Sequence, residues 1–310
     1  MSGLCALVPL DGTKLSESAF AMLPLLKTLG FGKVRLVSVW ESVWEEQESL
    51  PGRPAERQEV DEKGRSYLKA YLEAQAAHIQ EAGLEAETVV RVGRAAEETL
   101  AVAETEADLI VISTHGRSGI ARWWLGSVAD KIVRGSPCPT LVIGPNVAVE
   151  LAPYRLNRIL VPLDGTELAE QALPLATWIA GLCDAEIDLV RAISLMPVTY
   201  DPGIGLYPVD LLTTMEESAR AYLTRMAARL HARKVSTSLL IGSAGERILQ
   251  YMKESPASLV VIATRGRSGL ARATLGSVAD RLLHGPAPVL IFRAEEAAKS
   301  RLLAAAKGAG

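Results

Sequence analysis

The residues able to do chemistry sit in two short blocks, and each block occurs twice. Val8-Pro9-Leu10-Asp11-Gly12-Thr13 recurs unchanged as Val161-Pro162-Leu163-Asp164-Gly165-Thr166, an offset of 153. The stretch from Gly116 to Asp130 recurs as Gly266 to Asp280, an offset of 150, with twelve of fifteen positions identical. Both blocks have the makings of an anion site. Gly116 and Gly126 lack a Cβ, so backbone N–H groups can approach an anion closely, and positive φ is open to them. Gly126-Ser127-Val128 opens a helix, where unpaired N–H groups and the positive end of the helix dipole favour a phosphate. Ser127 is placed to cap that helix or to donate its hydroxyl to a phosphate. Asp11 is an acceptor suited to a ribose hydroxyl or an adenine amino group. The same holds for Gly266, Gly276, Ser277, Val278 and Asp164. Taken singly, a glycine and a serine at a helix start are also ordinary capping. Their repetition at one spacing is what favours a ligand.

Neighbouring residues carry less. Arg117, Arg122, Arg267 and Arg272 lie in the same loops as candidate phosphate partners, and Arg265 stands where the first copy has His115; loop arginines are usually solvated. Trp123 and Trp124 become Ala273 and Thr274, so packing is their expected role. His78, His231 and His284 are isolated and read as surface or capping residues rather than ligands. There is no Gly-x4-Gly-Lys-Ser/Thr loop, no Lys within either glycine-rich loop, and no carboxylate there before Asp130. Efficient phosphoryl transfer needs charge-neutralising groups and a positioned nucleophile. The residues therefore point to a nucleotide-binding protein with no catalytic residues, hydrolysing ATP slowly at most.

The elements must bring the two blocks together. At 310 residues the chain is long enough for two domains. A hydrophobic fraction of 49% and a charged fraction of 22% are ordinary for a globular protein. A net charge of −3 argues against a dedicated nucleic-acid or anionic-membrane binder. No apolar run is long enough to span a bilayer, and the N-terminus carries no basic leader, so the expected location is the cytoplasm. Cys5, Cys138 and Cys183 have no metal-type spacing and read as reduced, mostly buried thiols.

Short apolar runs alternate with helical periodicity in both halves. Strands are expected at Cys5–Leu10, Val34–Trp40, Glu87–Val92, Leu109–Ser113 and Thr140–Ile143, and near 158–163, 187–193, 237–241, 259–263 and 289–292. Helices are expected over Thr13–Leu29 and Ala55–Glu81, the latter weakened by Gly64, over Ala95–Thr105, and from Ser127. Alternation of this kind means an α/β fold: two tandem doubly wound domains, each a five-stranded parallel sheet of order 3-2-1-4-5 with helices on both faces. Domain boundaries fall at 1–145 and 157–294, with a linker at 146–156 and a C-terminal tail at 295–310, either a loose helix or disordered. In such a sheet strands 1 and 4 flank the point where strand order reverses, which is where ligands bind. Both blocks follow those strands, so they converge on one cleft.

At this point the residues resemble a family. Gly-x9-Gly-Ser after an apolar strand, with strand-Pro-x-Asp-Gly-Thr at the start, is similar to the universal stress protein family, whose ATP-binding pattern is Gly-x2-Gly-x9-Gly-Ser/Thr. Gly116 to Gly126-Ser127 and Gly266 to Gly276-Ser277 match its second part. The resemblance covers nearly the whole chain. It implies a site for ATP, with Mg²⁺ accompanying the phosphates, in each repeat. In the first repeat it comprises Pro9, Asp11, Gly12, Thr13, Val39, Ser113, His115, Gly116, Arg117, Gly119, Gly126, Ser127 and Val128. In the second it comprises Pro162, Asp164, Gly165, Thr166, Ala192, Ala263, Arg265, Gly266, Arg267, Gly269, Gly276, Ser277 and Val278. Asp11 and Asp164 would hold adenine or ribose, and the main chain near Val39 and Ala192 would touch the base. The resemblance also implies dimers through the fifth strand, hence an intrachain pseudo-dimer of the repeats and a possible homodimer. One departure stands out. The first glycine of the pattern is Ser113 in one copy and Ala263 in the other, and φ > 0 at either would cost about 1 kcal/mol or more. The functional expectation is a nucleotide-dependent stress-response protein, against a slow ATPase or an interaction module that binds no nucleotide.

Overall fold

The computed structural model of the chain describes residues 3–42, 54–114, 125–148, 154–194, 208–265, 275–294 and 300–308. The chain divides into two compact units, one built on Met1–Pro145 and the other on Arg155–Ala298. The first runs β1 (Leu4–Pro9), a 3₁₀ stretch (Ser16–Met22), α1 (Leu23–Thr28), β2 (Phe31–Trp40), α2 (Pro54–Glu81), β3 (Glu85–Val92), α3 (Ala95–Glu106), β4 (Leu109–Ser113), α4 (Ser127–Gly135) and β5 (Thr140–Ile143). The second repeats the order with β6 (Arg158–Pro162), α5 (Glu167–Glu170), α6 (Ala172–Cys183), β7 (Glu186–Ile193), α7 (Pro208–Ala227), β8 (Val235–Ile241), α8 (Ala244–Glu254), β9 (Leu259–Thr264), α9 (Ser277–Leu282) and β10 (Val289–Arg293). A last helix, α10 (Arg301–Gly308), buries Leu302, Leu303 and Ala306, so this part of the expected tail is a packed helix.

Each unit holds five parallel strands, in the order β3-β2-β1-β4-β5 and β8-β7-β6-β9-β10. This is the doubly wound order expected from the sequence. Consecutive residues of the central strands are all buried, as in Cys5–Val8, Leu109–Ile112 and Leu259–Ile262. Side chains of a strand alternate between faces, so such runs require helices on both.

The first helix of each unit is broken where one continuous helix was expected. Pro24 has no N–H to give to the carbonyl four residues back, so the chain tightens into 3₁₀ turns before α1 begins. In the second unit Pro174 follows a similar break at Gln171, between α5 and α6.

β1 and β4 are stapled at their amino ends and part at their carboxyl ends. Asp108 N donates to Cys5 O and Cys5 N to Asp108 Oδ2, each at 2.8 Å. Arg301 holds the same buried carboxylate in a forked pair at 2.7 and 2.6 Å. Yet the two strands register only at Ala6–Leu109 and Leu7–Ile110, although β1 continues to Pro9 and β4 to Ser113. β6 and β9 likewise register only at Ile159–Leu259 and Leu160–Val260. Each unit therefore opens a fork where its strand order reverses.

Gly64 has a reason the helical periodicity did not show. A Cβ there would collide with the Trp40 ring, which is fixed by its Nε1–H bond of 2.8 Å to Asp61. Gly64→Ala adds about 1 kcal/mol of helix propensity, but forcing a methyl into a packed ring costs about 1–3 kcal/mol. The variant should melt below the parent in thermal unfolding; an equal or higher Tm would show that the ring swings aside freely.

Candidate functional site

One wall of each fork is the turn after the first strand. Asp11 Oδ1 accepts from Thr13 N at 3.0 Å and from Thr13 Oγ1 at 2.5 Å. Thr13 Oγ1 in turn accepts from Ser16 N at 3.3 Å. The second copy reproduces every bond: Asp164 Oδ1 accepts from Thr166 N at 2.9 Å and Oγ1 at 2.6 Å, and Thr166 Oγ1 accepts from Ala169 N at 3.3 Å, capping α5. Gly12 and Gly165 take φ of +82° and +91°, which is where glycine is required. The threonine hydroxyl thus donates once and accepts once within the turn. The aspartates and the glycines remain exposed at the mouth.

The other wall is the helix start after the fourth strand. Gly126 and Gly276 are the N-caps of α4 and α9, and neither cap has a side-chain bond. Ser127 and Ser277 are therefore the first helical residues rather than the caps, and both are exposed, with Val128 beside Ser127. The caps stand at φ −54° and −57°, a conformation open to any residue, so positive φ is not what glycine supplies here. At Gly276 it supplies room: a Cβ there would meet no atom of the described residues within 4 Å. A side chain there would fill the space in front of the first-turn N–H groups.

Ser113 closes β4 and Ala263 is the next-to-last residue of β9, both in extended conformation. Among the described residues the single non-glycine with positive φ is Asp184, at the end of α6. The strain feared at the missing glycine does not arise. Ser113 Oγ accepts from Ser18 Oγ at 2.8 Å, tying the 3₁₀ stretch to β4. Pairing of β1 with β2 ends at Pro9–Val37, closed by Leu10 N to Val37 O at 2.8 Å. Val39 lies two residues past it, with its backbone turned to the same side as that of Val37. Pro162–Val190 and Ala192 repeat the arrangement. His115, Gly116, Arg117, Gly119, Arg122, Trp123 and Trp124, with Gly266, Arg267, Gly269, Arg272, Ala273 and Thr274, lie outside the described residues. Arg265 is exposed at the end of β9. His284, expected at the surface or a cap, is buried, with its Nδ1 2.9 Å from Asp280 O at the end of α9.

Three groups escaped the sequence reading. Tyr71 donates to Glu17 Oε1 at 3.2 Å, and Tyr222 to Glu170 Oε1 at 3.1 Å, so the long helix of each unit is tied to the segment after the turn. Glu17 and Glu170 keep the 153-residue offset of the turns, a signal available in the sequence. The third group is Arg191, stacked on Tyr222 beside Gly165.

These forks and turns define a tandem α/β protein whose first and fourth strands part at each strand-order reversal. The universal stress protein family model matches residues 6–144 and again 155–293. The chain belongs to the universal stress protein family. A universal stress protein of Mycobacterium tuberculosis is 31% identical over 199 residues, 63% of this chain and 65% of that relative. A universal stress protein of Bacillus subtilis is 38% identical over 146 residues, 44% of this chain and 99% of the relative. The chain thus spans about 65% of the length of the mycobacterial relatives it matches. Among solved structures, a universal stress protein from Archaeoglobus fulgidus has TM-score 0.68 at 19% identity, covering 93% of this chain and 98% of its own; it shares the fold. No helix of the described residues is long and apolar enough to cross a membrane.

Burial first, and then the neighbouring carboxylate, push the phenols of Tyr71 and Tyr222 well above their ordinary value. A folded pKa above the unfolded one means that this stabilisation is whole below about pH 10 and is lost as pH rises through the folded value. In an ultraviolet titration both should ionise after the exposed tyrosines. Tyr71→Phe and Tyr222→Phe should each remove one late-ionising group; an unchanged titration curve would contradict the two hydrogen bonds.

Proposed function

We propose that each repeat binds one ATP in its fork and that the chain acts as a nucleotide-dependent regulator of the stress response. The observation that supports this most is the duplicated fork itself. A turn with an exposed aspartate forms one wall, and an uncapped helix start with a bare glycine forms the other. Phosphates would lie against the N–H groups at Gly126-Ser127-Val128 and Gly276-Ser277-Val278, where the helix dipole favours negative charge. That no atom of the described residues lies within 4 Å of a Cβ on Gly276 supports that placement. The adenosine would lie toward Asp11 or Asp164, with the backbone at Val39 or Ala192 within its reach. Mg²⁺ would arrive with the phosphates; among the described residues no cluster of His, Cys, Asp or Glu is built to hold a metal.

The chemistry available at the fork favours holding over turnover. Asp11 and Asp164 are engaged through Oδ1 in their own turns. Any hydrolysis is expected far below the ~1 s⁻¹ and faster turnover of working enzymes.

Calorimetry of Mg-ATP into nucleotide-stripped protein should show two sites per chain, with micromolar affinity or about −8 kcal/mol each. Gly126→Val with Gly276→Val should abolish the heat while leaving thermal unfolding unchanged, since both positions have ordinary φ. A folded double variant that binds ATP normally would move the site elsewhere, and no heat with the parent protein would leave an interaction module without nucleotide.

A further inference from the structure

One of the differences between the two forks puts a charge beside the Asp-Gly-Thr turn. Pro9 pairs with Val37 and Pro162 with Val190, so the next residues, Ser38 and Arg191, are equivalent. Ser38 is buried and spends its hydroxyl on Leu10 O at 2.6 Å. Among the described residues, nothing stands within 4 Å of a Cβ placed on Gly12. In the second unit the same turn is covered. The Arg191 guanidinium lies 3.0 to 3.2 Å from the Cβ position of Gly165, and its Cζ stands 4.8 Å from the centre of the Tyr222 ring.

Arg191 is half-buried and forms no ion pair among the described residues. The acid of its cluster, Glu170, is engaged by Tyr222 at 3.1 Å and by Arg229 at 3.6 Å. A guanidinium stacked on a ring is held in place by the cation–π contact and needs no carboxylate to fix it. Partly withdrawn from water, its charge is screened less than that of a fully exposed arginine. Its N–H donors remain for an anion entering beside the Asp164-Gly165-Thr166 turn. The first fork offers the hydroxyl of a committed serine at that place.

We propose that Arg191 makes the two sites unequal: the second repeat holds an anionic nucleotide more tightly, and with steeper salt dependence, than the first. This rests on the reading of the forks as ATP sites. The test is Mg-ATP calorimetry on the full chain at low and high salt, for the parent protein, Arg191→Ser and Arg191→Lys. The parent should show two affinity classes, the tighter weakening more with salt, and Gly276→Val should remove the tighter class. Arg191→Ser, which installs the residue of the first repeat, should weaken the tighter site about tenfold, the loss of one charge-assisted contact, and leave the other site unchanged. Arg191→Lys should keep the salt dependence while losing part of the affinity, since it keeps the charge without the planar stack. Two equal sites in the parent, or two classes persisting unchanged in Arg191→Ser, would overturn this inference and leave ATP binding intact. No ATP uptake by the parent would overturn the reading of the forks and this inference with it.

Discussion

The parting of β1 from β4 after two paired positions governs the rest of the site. In a sheet of this order the strand order reverses between the first and fourth strands, and their pairing stops short of their carboxyl ends. The amino ends are locked by Asp108, which bonds the backbone of Cys5 and holds Arg301. The strands therefore cannot separate at the bottom to relieve their divergence at the top. The second unit achieves the same closure with less: Ser258 N donates to Arg158 O at 2.9 Å, and Asn157 N donates to Ser258 Oγ at 3.2 Å. A different side chain in the same backbone role shows that the fork is a property of the topology. A carboxylate at its base is one way to secure it.

The two copies separate what the turn needs from what it tolerates. The aspartate–threonine bonds of the turn repeat in both copies, with the threonine hydroxyl donating to the aspartate and accepting from the third residue onward. Self-sufficiency of this kind explains the identity of the block without any ligand. What a ligand would add is a use for the exposed aspartate and for the bare glycine at the helix start. The tyrosine–glutamate tie carries the same logic outward. It fixes the long helix against the turn in both units, although the sequences leading into those helices share nothing visible.

Much of this was legible from residues alone, for identifiable reasons. Buried parallel strands write themselves as unbroken apolar runs, and a domain repeated with its loops intact marks its own site. The failures are equally physical. The first helix was read as continuous because its apolar spacing is continuous, but Pro24 overrides spacing by removing a donor. Gly64 was read as a weakness because propensity scales see only the helix, not the Trp40 ring lying on it. Positive φ was expected to be open at Gly126 and costly at Ser113, but the cap takes an ordinary φ and the strand end is extended and needs no glycine at all. Arg191 was invisible because its significance lies in a contact with Tyr222, 31 residues away in sequence.

Whether such a fork holds a nucleotide or turns it over depends on where its charges are spent. An enzyme needs at least one group free to take a proton or to neutralise charge that develops on the leaving phosphate. Among the described residues, the aspartate and threonine of each turn are occupied in shaping the backbone: aspartate accepts from the threonine, and the threonine accepts from the third residue onward. Backbone N–H groups at a helix start stabilise a bound phosphate in its ground state as well as in a transition state, and uniform binding of that kind gives affinity without rate. Occupancy then becomes the quantity such a protein can report, and it reports only to the extent that one conformation binds the nucleotide better than another. Two forks of unequal affinity would extend the range of nucleotide concentration over which occupancy changes, because the weaker fork begins to fill where the tighter one is nearly full.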